Sequence, residues 1–299
     1  MRPPLDYDPL DDAGRASEVL EAGLSKEAVI EKARAETLRA AQPRMHQVAS
    51  TWSPYDRLSG GARGRLKQLW QRIGFADEFG TVARYELDMA MLRMRCALSP
   101  SHRRAMRALQ ARRGLKLHLG CGNNAMEGWV NFDCYPPQAP PHIERVVVDM
   151  RRPLPCADGS AVALYSEHFF EHVALPTVRG TLLPECFRVL APGGEIRIGV
   201  PDGEYYVRRY RPGIGNEPGR DLSGTDGMIP MMWINHVARS SQHQYLYDYD
   251  TLVYLLDEAG FVGLRRGVAN DSTSSHFAGI DMTGEGREEA TVYIEGRRP

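Results

Sequence analysis

Leu115-Lys-Leu-His-Leu-Gly-Cys-Gly-Asn123, followed by Trp129-Val-Asn-Phe-Asp133, decides the fold of this chain. Leu115, Leu117 and Leu119 alternate as in a β-strand, and the run breaks off in Gly120-Cys121-Gly122. A second short apolar run then ends in the carboxylate of Asp133. Strand, glycine turn, strand, acid is how a doubly wound α/β sheet builds a nucleoside site. The glycines admit a ligand close to the backbone, and an acid at the tip of the next strand can accept both hydroxyls of a ribose. A Gly-x-Gly pair alone fits a tight turn without ligand equally well, so the reading depends on what surrounds it.

Downstream, Arg145-Val-Val-Val-Asp149 reads as a third strand tipped with an acid. Ala161 to His168 reads as a fourth, after the Pro155-Cys-Ala-Asp-Gly159 turn, and Glu195 to Asp202 as a fifth. Between the last two, Leu182, Leu183, Cys186, Phe187, Val189 and Leu190 recur at helical spacing until Ala191-Pro-Gly-Gly194 stops the helix. Asp250 to Ala259 is a further helix, and Phe261 to Val268 and Thr291 to Gly296 are the final strands. Four segments in order are Leu117-His-Leu-Gly-Cys-Gly122, Gly128-Trp-Val-Asn-Phe-Asp133, Glu167-His-Phe-Phe-Glu-His172 and Arg188-Val-Leu-Ala-Pro-Gly-Gly194. Together they resemble a branch of the class I S-adenosylmethionine-dependent methyltransferases, over roughly residues 114–299. The resemblance implies an α/β fold: a doubly wound, seven-stranded Rossmann-like methyltransferase sheet with its last strand antiparallel, preceded by an N-terminal helical extension.

The same resemblance implies a cofactor site for S-adenosylmethionine. Gly120, Cys121, Gly122 and Asn123 wrap the methionine moiety, Asp133 holds the ribose, Asp149 and Met150 flank the adenine, and Glu167 joins the site. Two features depart from the family pattern. The position two before the first glycine is usually acidic, and here it is His118, so the usual carboxylate for the methionine ammonium is missing. The spacing from Gly120 to Asp133 is also short of the ~20 residues that accompany a full crossover helix, which predicts a helix cut to a turn or two. That suits a sulfonium ligand without phosphates and argues against a dinucleotide, whose pyrophosphate needs a helix N-terminus.

Methyl transfer to a hydroxyl benefits from a base, and histidine is neutral near working pH. The candidates are His168, His243 and His236, with Asp202 at the fifth strand's tip as a carboxylate option. His168-Phe-Phe-Glu171-His172 also spells H-x-x-E-H, a zinc-protease signature when it lies within a helix. Here it starts at a strand end and no third ligand is evident, so no metal is expected. His172 reads equally as a packed structural residue.

Composition sets the remaining bounds. The net charge of -1 over 299 residues gives no drive toward nucleic acid, and Ser166-Glu-His-Phe169 stands where nucleic-acid methyltransferases carry their own signature. No apolar stretch approaches the ~18–20 residues of a membrane span, and the acidic, proline-broken start is not a signal peptide. Five cysteines without a Cys-x-x-Cys pair suit a cytoplasmic location. Residues 1–112 are read as the helical extension, with helices from Ser25 to Val48, Ala62 to Ile73 and Glu78 to Arg113, the last broken near Ser99-Pro100. Residues 113–299 are the methyltransferase domain, within which 211–245 form a glycine-rich lid or substrate insertion, or a packed part of the core. The expected activity is O-methylation of a small molecule or glycan, in surface-polysaccharide or secondary-metabolite synthesis. The alternatives are N- or carboxyl-methylation of a metabolite, or a cofactor-binding scaffold without chemistry.

Overall fold

The computed structural model of the chain describes residue 72 and residues 77–135, 140, 142–210, 230–239, 242–284 and 286–299. The helix expected from Ser25 to Val48, the segment 62–71 and the insertion 211–229 lie outside the described residues.

Seven strands form one sheet: β1 (Leu115–Leu119), β2 (Val130–Asp133), β3 (Arg145–Val147), β4 (Ala161–Glu167), β5 (Leu190–Pro201), β6 (Val262–Gly267) and β7 (Thr291–Arg297). Their order is β3-β2-β1-β4-β5-β7-β6. The first five run parallel, and β7 lies antiparallel to both β5 and β6. Leu117, Leu119, Phe132, Leu164, Ile196 and Ile198 are buried because the parallel strands are covered on both faces. The strand order reverses between β1 and β4, so the crevice beyond their carboxyl ends is where a ligand belongs.

The β1–β2 connection departs from expectation. No helix lies between Leu119 and Val130, only hydrogen-bonded turns. Asn131, wholly buried, does the helix's work with its side chain. Its amide oxygen accepts the Met126 N–H at 2.8 Å, and its amide nitrogen donates to the carbonyls of Met126, Trp129 and Glu144 at 2.8, 3.0 and 2.9 Å. Backbone groups that a helix would pair are satisfied instead by one residue. Farther along, α3 (Leu183–Val189) stops one residue short of the expected end, and β5 begins at once, carrying Pro192-Gly193-Gly194 inside the strand.

Before the sheet, α1 (Asp77–Leu98) and α2 (Pro100–Gln110) meet at Ser99. Ser99 caps α2 by accepting the His102 N–H, with Pro100 in the first turn, which accounts for the interruption read there. α1 docks on the end of β3. Arg93 pairs with Asp149 at 2.7 Å, Arg151 bridges Asp149 at 2.9 Å and Glu86 at 2.6 Å, and the Cys96 thiol points at the Val147 carbonyl. Leu109 enters the main core. The boundary expected at residue 112 is therefore no packing boundary for the helices just before it. After β5 come α4 (Gly203–Tyr210), α5 (Pro230–Arg239) and α6 (Tyr249–Glu258). No helix among the described residues is long and apolar enough to cross a membrane.

Candidate functional site

A cavity of about 880 Å³ opens at the reversal point. The Gly120–Met126 turn forms one wall and His118, Tyr165, Glu167 and His168 the floor, while Ile280–Thr283 and Arg287 close it from the β6–β7 connection. Gly120 and Gly122 both have positive φ, +69° and +50°. A Cβ at position 120 would stand 2.3 Å from Phe169 Cβ, so this glycine makes room for a ring of its own chain. At Gly122 nothing lies within 4 Å of that position, and the turn presents an open face. The Gly122 N–H donates to Asp133 Oδ2 at 2.9 Å, and the Tyr135 N–H donates to Oδ1 at 2.9 Å. Each oxygen keeps acceptor capacity for a ribose hydroxyl. Asn123 is exposed on the cavity wall. Cys121 is buried, which pushes its thiol up to about 12 and keeps it protonated.

His118 occupies the place of the missing acid. Its Nδ1 lies 3.2 Å from the Asn131 amide oxygen, which can only accept, so Nδ1 carries the proton and Nε2 keeps its lone pair. Burial holds its pKa down at about 4, so it stands neutral beside the cavity. A histidine whose folded pKa lies below its unfolded value binds protons more readily when unfolded. Its contribution is intact above the unfolded value near 6.5 and is lost as pH falls toward 4. In a urea titration, the wild-type chain should lose roughly 1.4 kcal/mol per pH unit in that window beyond what His118→Asn loses. Parallel curves would show that His118 does not carry the slope.

Other expected residues are placed differently. Glu167 lines the cavity, but its carboxylate already accepts the hydroxyls of Tyr165 (2.7 Å) and Tyr293 (2.6 Å) and the Met282 N–H (2.9 Å). It braces the wall more than it offers itself to a ligand. Asp149 accepts the Arg151 N–H and three guanidinium N–H groups from Arg93 and Arg151. A carboxylate has about four acceptor sites, so none is left for an adenine amino group. These bonds also hold its pKa below the usual range, against the opposing effect of its burial. Met150 is packed in the main core. Asp202, the carboxylate alternative, accepts the Glu204 N–H at 2.9 Å as the cap of α4, and burial raises its pKa. It is not among the cavity's lining residues.

His168 sits on the cavity wall with φ +52°, a left-handed backbone that histidine tolerates better than most residues. Its Nδ1 lies 3.2 Å from Glu171 Oε1 and its Nε2 3.1 Å from the Thr291 hydroxyl. Glu171 is wholly buried in the 3₁₀ turn Phe170–His172. Behind it, the rings of His172 and His243 meet edge to face, 4.7 Å apart. His243 donates Nδ1–H to the Val237 carbonyl at 2.5 Å, and burial lowers its pKa. His243 thus faces the back of the floor, not the cavity itself. Asn131, Tyr165, Thr291 and the Ile280–Thr283 wall were not anticipated. Asn131 was visible inside the Gly128–Asp133 motif, but the 280–283 segment carries no pattern.

The open Gly122 face, the acceptor capacity left on Asp133 and the neutral His118 imidazole fit the methionine and ribose ends of S-adenosylmethionine; Asp149 does not fit the adenine end.

Residues 133–198 match the family described as "Methyltransferase domain". Among solved structures, the chain is similar to a chain from the complex between the Haloferax volcanii Trm112 methyltransferase activator and the putative methyltransferase. That match has 18% identity, covers 76% of this chain and 100% of that one, and has a TM-score of 0.41. It is also similar to a SAM-dependent methyltransferase from Archaeoglobus fulgidus (16% identity, 70% and 94% covered, TM-score 0.39). A third is a SAM-dependent methyltransferase of Thermotoga maritima, a possible histamine N-methyltransferase (17% identity, 73% and 96% covered, TM-score 0.39). No curated protein matches the chain.

Proposed function

We propose that this chain, whose matched segment and seven-stranded sheet are those of an S-adenosylmethionine-dependent class I methyltransferase, methylates a hydroxyl of a small molecule or a glycan. S-adenosylmethionine supplies, when bound, a methyl carbon already activated by a sulfonium centre. Asp133 holds the ribose hydroxyls, and the Gly122 turn lets the ligand approach the backbone. His118 replaces the usual acid: its Nε2 accepts an N–H of the methionine ammonium, and its neutrality avoids repelling that charge.

The observation that carries the hydroxyl reading is His168 lining the cavity with the buried Glu171 carboxylate against its Nδ1. An alcohol keeps its proton near pH 7, so a base must take that proton as the new C–O bond forms. A carboxylate acceptor has no proton to lose. His168 receives the proton, and the Glu171 carboxylate at 3.2 Å stabilises the imidazolium. A second reading, a cofactor-binding protein without chemistry, is favoured by the acid missing at position 118 and by the saturated Asp149. A cytoplasmic location belongs to the same proposal, supported by five cysteines standing as free thiols.

Calorimetry with S-adenosylmethionine, followed by turnover assays on hydroxyl, amine and carboxylate acceptors, tests these readings. Binding with turnover on hydroxyls alone is expected. Binding without any turnover favours the second reading, and no binding removes both. Asp133→Ala should weaken the cofactor by about 10- to 100-fold, the worth of hydrogen bonds to a charged group, while circular dichroism stays unchanged. Unchanged affinity would mean that another residue holds the ribose.

A further inference from the structure

We propose that Glu171, His172 and His243 form a binding site for a divalent transition metal of the zinc class, behind the floor of the cavity. One ligand atom from each lies within 4.8 Å of the others. His172 Nε2 already stands 4.0 Å from Glu171 Oε1. Tetrahedral zinc, with bonds of about 2.0–2.1 Å, sets its ligand atoms about 3.3 Å apart. The half-exposed His172 ring has the freedom to close that gap by side-chain rotation.

Three observations point to a ligand here. Glu171 is completely buried, and among the described residues its Oε2 has no hydrogen-bond partner, an arrangement that calls for a counter-charge or a bound group. The Tyr247 hydroxyl is buried and, among the described residues, likewise unpartnered. His243 donates Nδ1–H to a backbone carbonyl, which fixes the tautomer with Nε2 as a lone-pair donor; ligating histidines are held in this way. The Glu171 carbonyl accepts the N–H groups of Gln244 and Tyr245 at 2.6 and 3.3 Å, so the turn bearing two ligands is latched to the segment bearing the third. Two imidazoles, one carboxylate and a free fourth position make a donor set that zinc takes readily. The bound ion holds in place the Glu171 carboxylate whose Oε1 orients His168. It therefore acts by positioning, and the inference holds whether or not the chain transfers methyl groups.

The test is equilibrium dialysis of untagged, chelator-stripped full-length protein against Zn²⁺, with Co²⁺ as the spectroscopic probe. One ion per chain is expected, with the intense visible bands of four-coordinate cobalt. His172→Ala and His243→Ala should each weaken Zn²⁺ by more than the roughly 10- to 100-fold lost when only a supporting hydrogen bond is removed. His142→Ala, an exposed histidine between β2 and β3, should leave binding unchanged. Absence of stoichiometric binding overturns the proposal, and so does binding that survives in both the His172 and His243 variants.

Discussion

His168→Asn is expected to lower the methyl-transfer rate by roughly 10²–10⁴-fold, the usual worth of a positioned base, while cofactor affinity stays within a few-fold of wild type. Asparagine is the informative replacement because it also tolerates the left-handed backbone at φ +52°, so the turn between β4 and Glu171 is kept. Its amide can still reach Glu171 or Thr291 but cannot take up a proton. Single-turnover rates read beside calorimetric cofactor affinity separate the outcomes. A wild-type rate would strike His168 from the chemistry. An equal loss of rate and affinity would make it a wall residue. Because His168 bonds to Glu171 on one side and Thr291 on the other, its ring orientation is set by β7 as well as by the 3₁₀ turn that follows it.

Arg197→Met is expected to destabilise the chain by roughly 3–5 kcal/mol, the largest single effect anticipated on the fold. Arg197 is fully buried in β5 and pairs with Asp281 at 2.5 Å and with Glu295 at 2.5 Å. It also donates to the Val268 carbonyl and lies 4.6 Å from the centre of the Tyr293 ring. Removing it leaves the buried Asp281 carboxylate without its cation and Glu295 with Arg265 alone. The same arginine anchors Asp281, which lines the cavity, so loss of cofactor affinity should accompany the loss of stability. Urea unfolding checks the first effect and calorimetry the second. A triple replacement that also makes positions 281 and 295 leucine should recover most of the stability but not the affinity, since apolar side chains substitute for a buried ion group more readily than for one of its members. A single variant within about 1 kcal/mol of wild type would show that this cluster is not what holds the β6–β7 connection in place.

Much of this architecture was legible in the chain because it rests on local pattern. Leu115, Leu117 and Leu119 announce a buried strand and Gly120 and Gly122 a glycine turn, in which the structure shows both glycines at positive φ. The positions of β4 and α6 also follow, to within a residue at their ends, from apolar period and breakers, while the antiparallel closing strand follows from the family resemblance. What resisted was whatever depends on partners distant in sequence. The short spacing between Gly120 and Asp133 suggested a shortened helix. The absence of any helix there depends on Asn131 reaching carbonyls at positions 126, 129 and 144. Asp149 carries the residue type expected beside an adenine, yet Arg93, far upstream on α1, helps fill its acceptor sites.

The succession of strands along the chain, the glycine turn and the acid that ends β2 were decided by the sequence itself, because alternation, backbone conformation and chain connectivity are properties of neighbours. Tertiary packing alone decided which polar groups remain available. It neutralised His118 by burial, spent Glu167 and Asp149 on internal partners, and brought His243 across from a distant segment to complete a triad with Glu171 and His172. The physical reason is that an acceptor's capacity and an ionisable group's charge depend on its whole surroundings, and those surroundings exist only once the chain has folded.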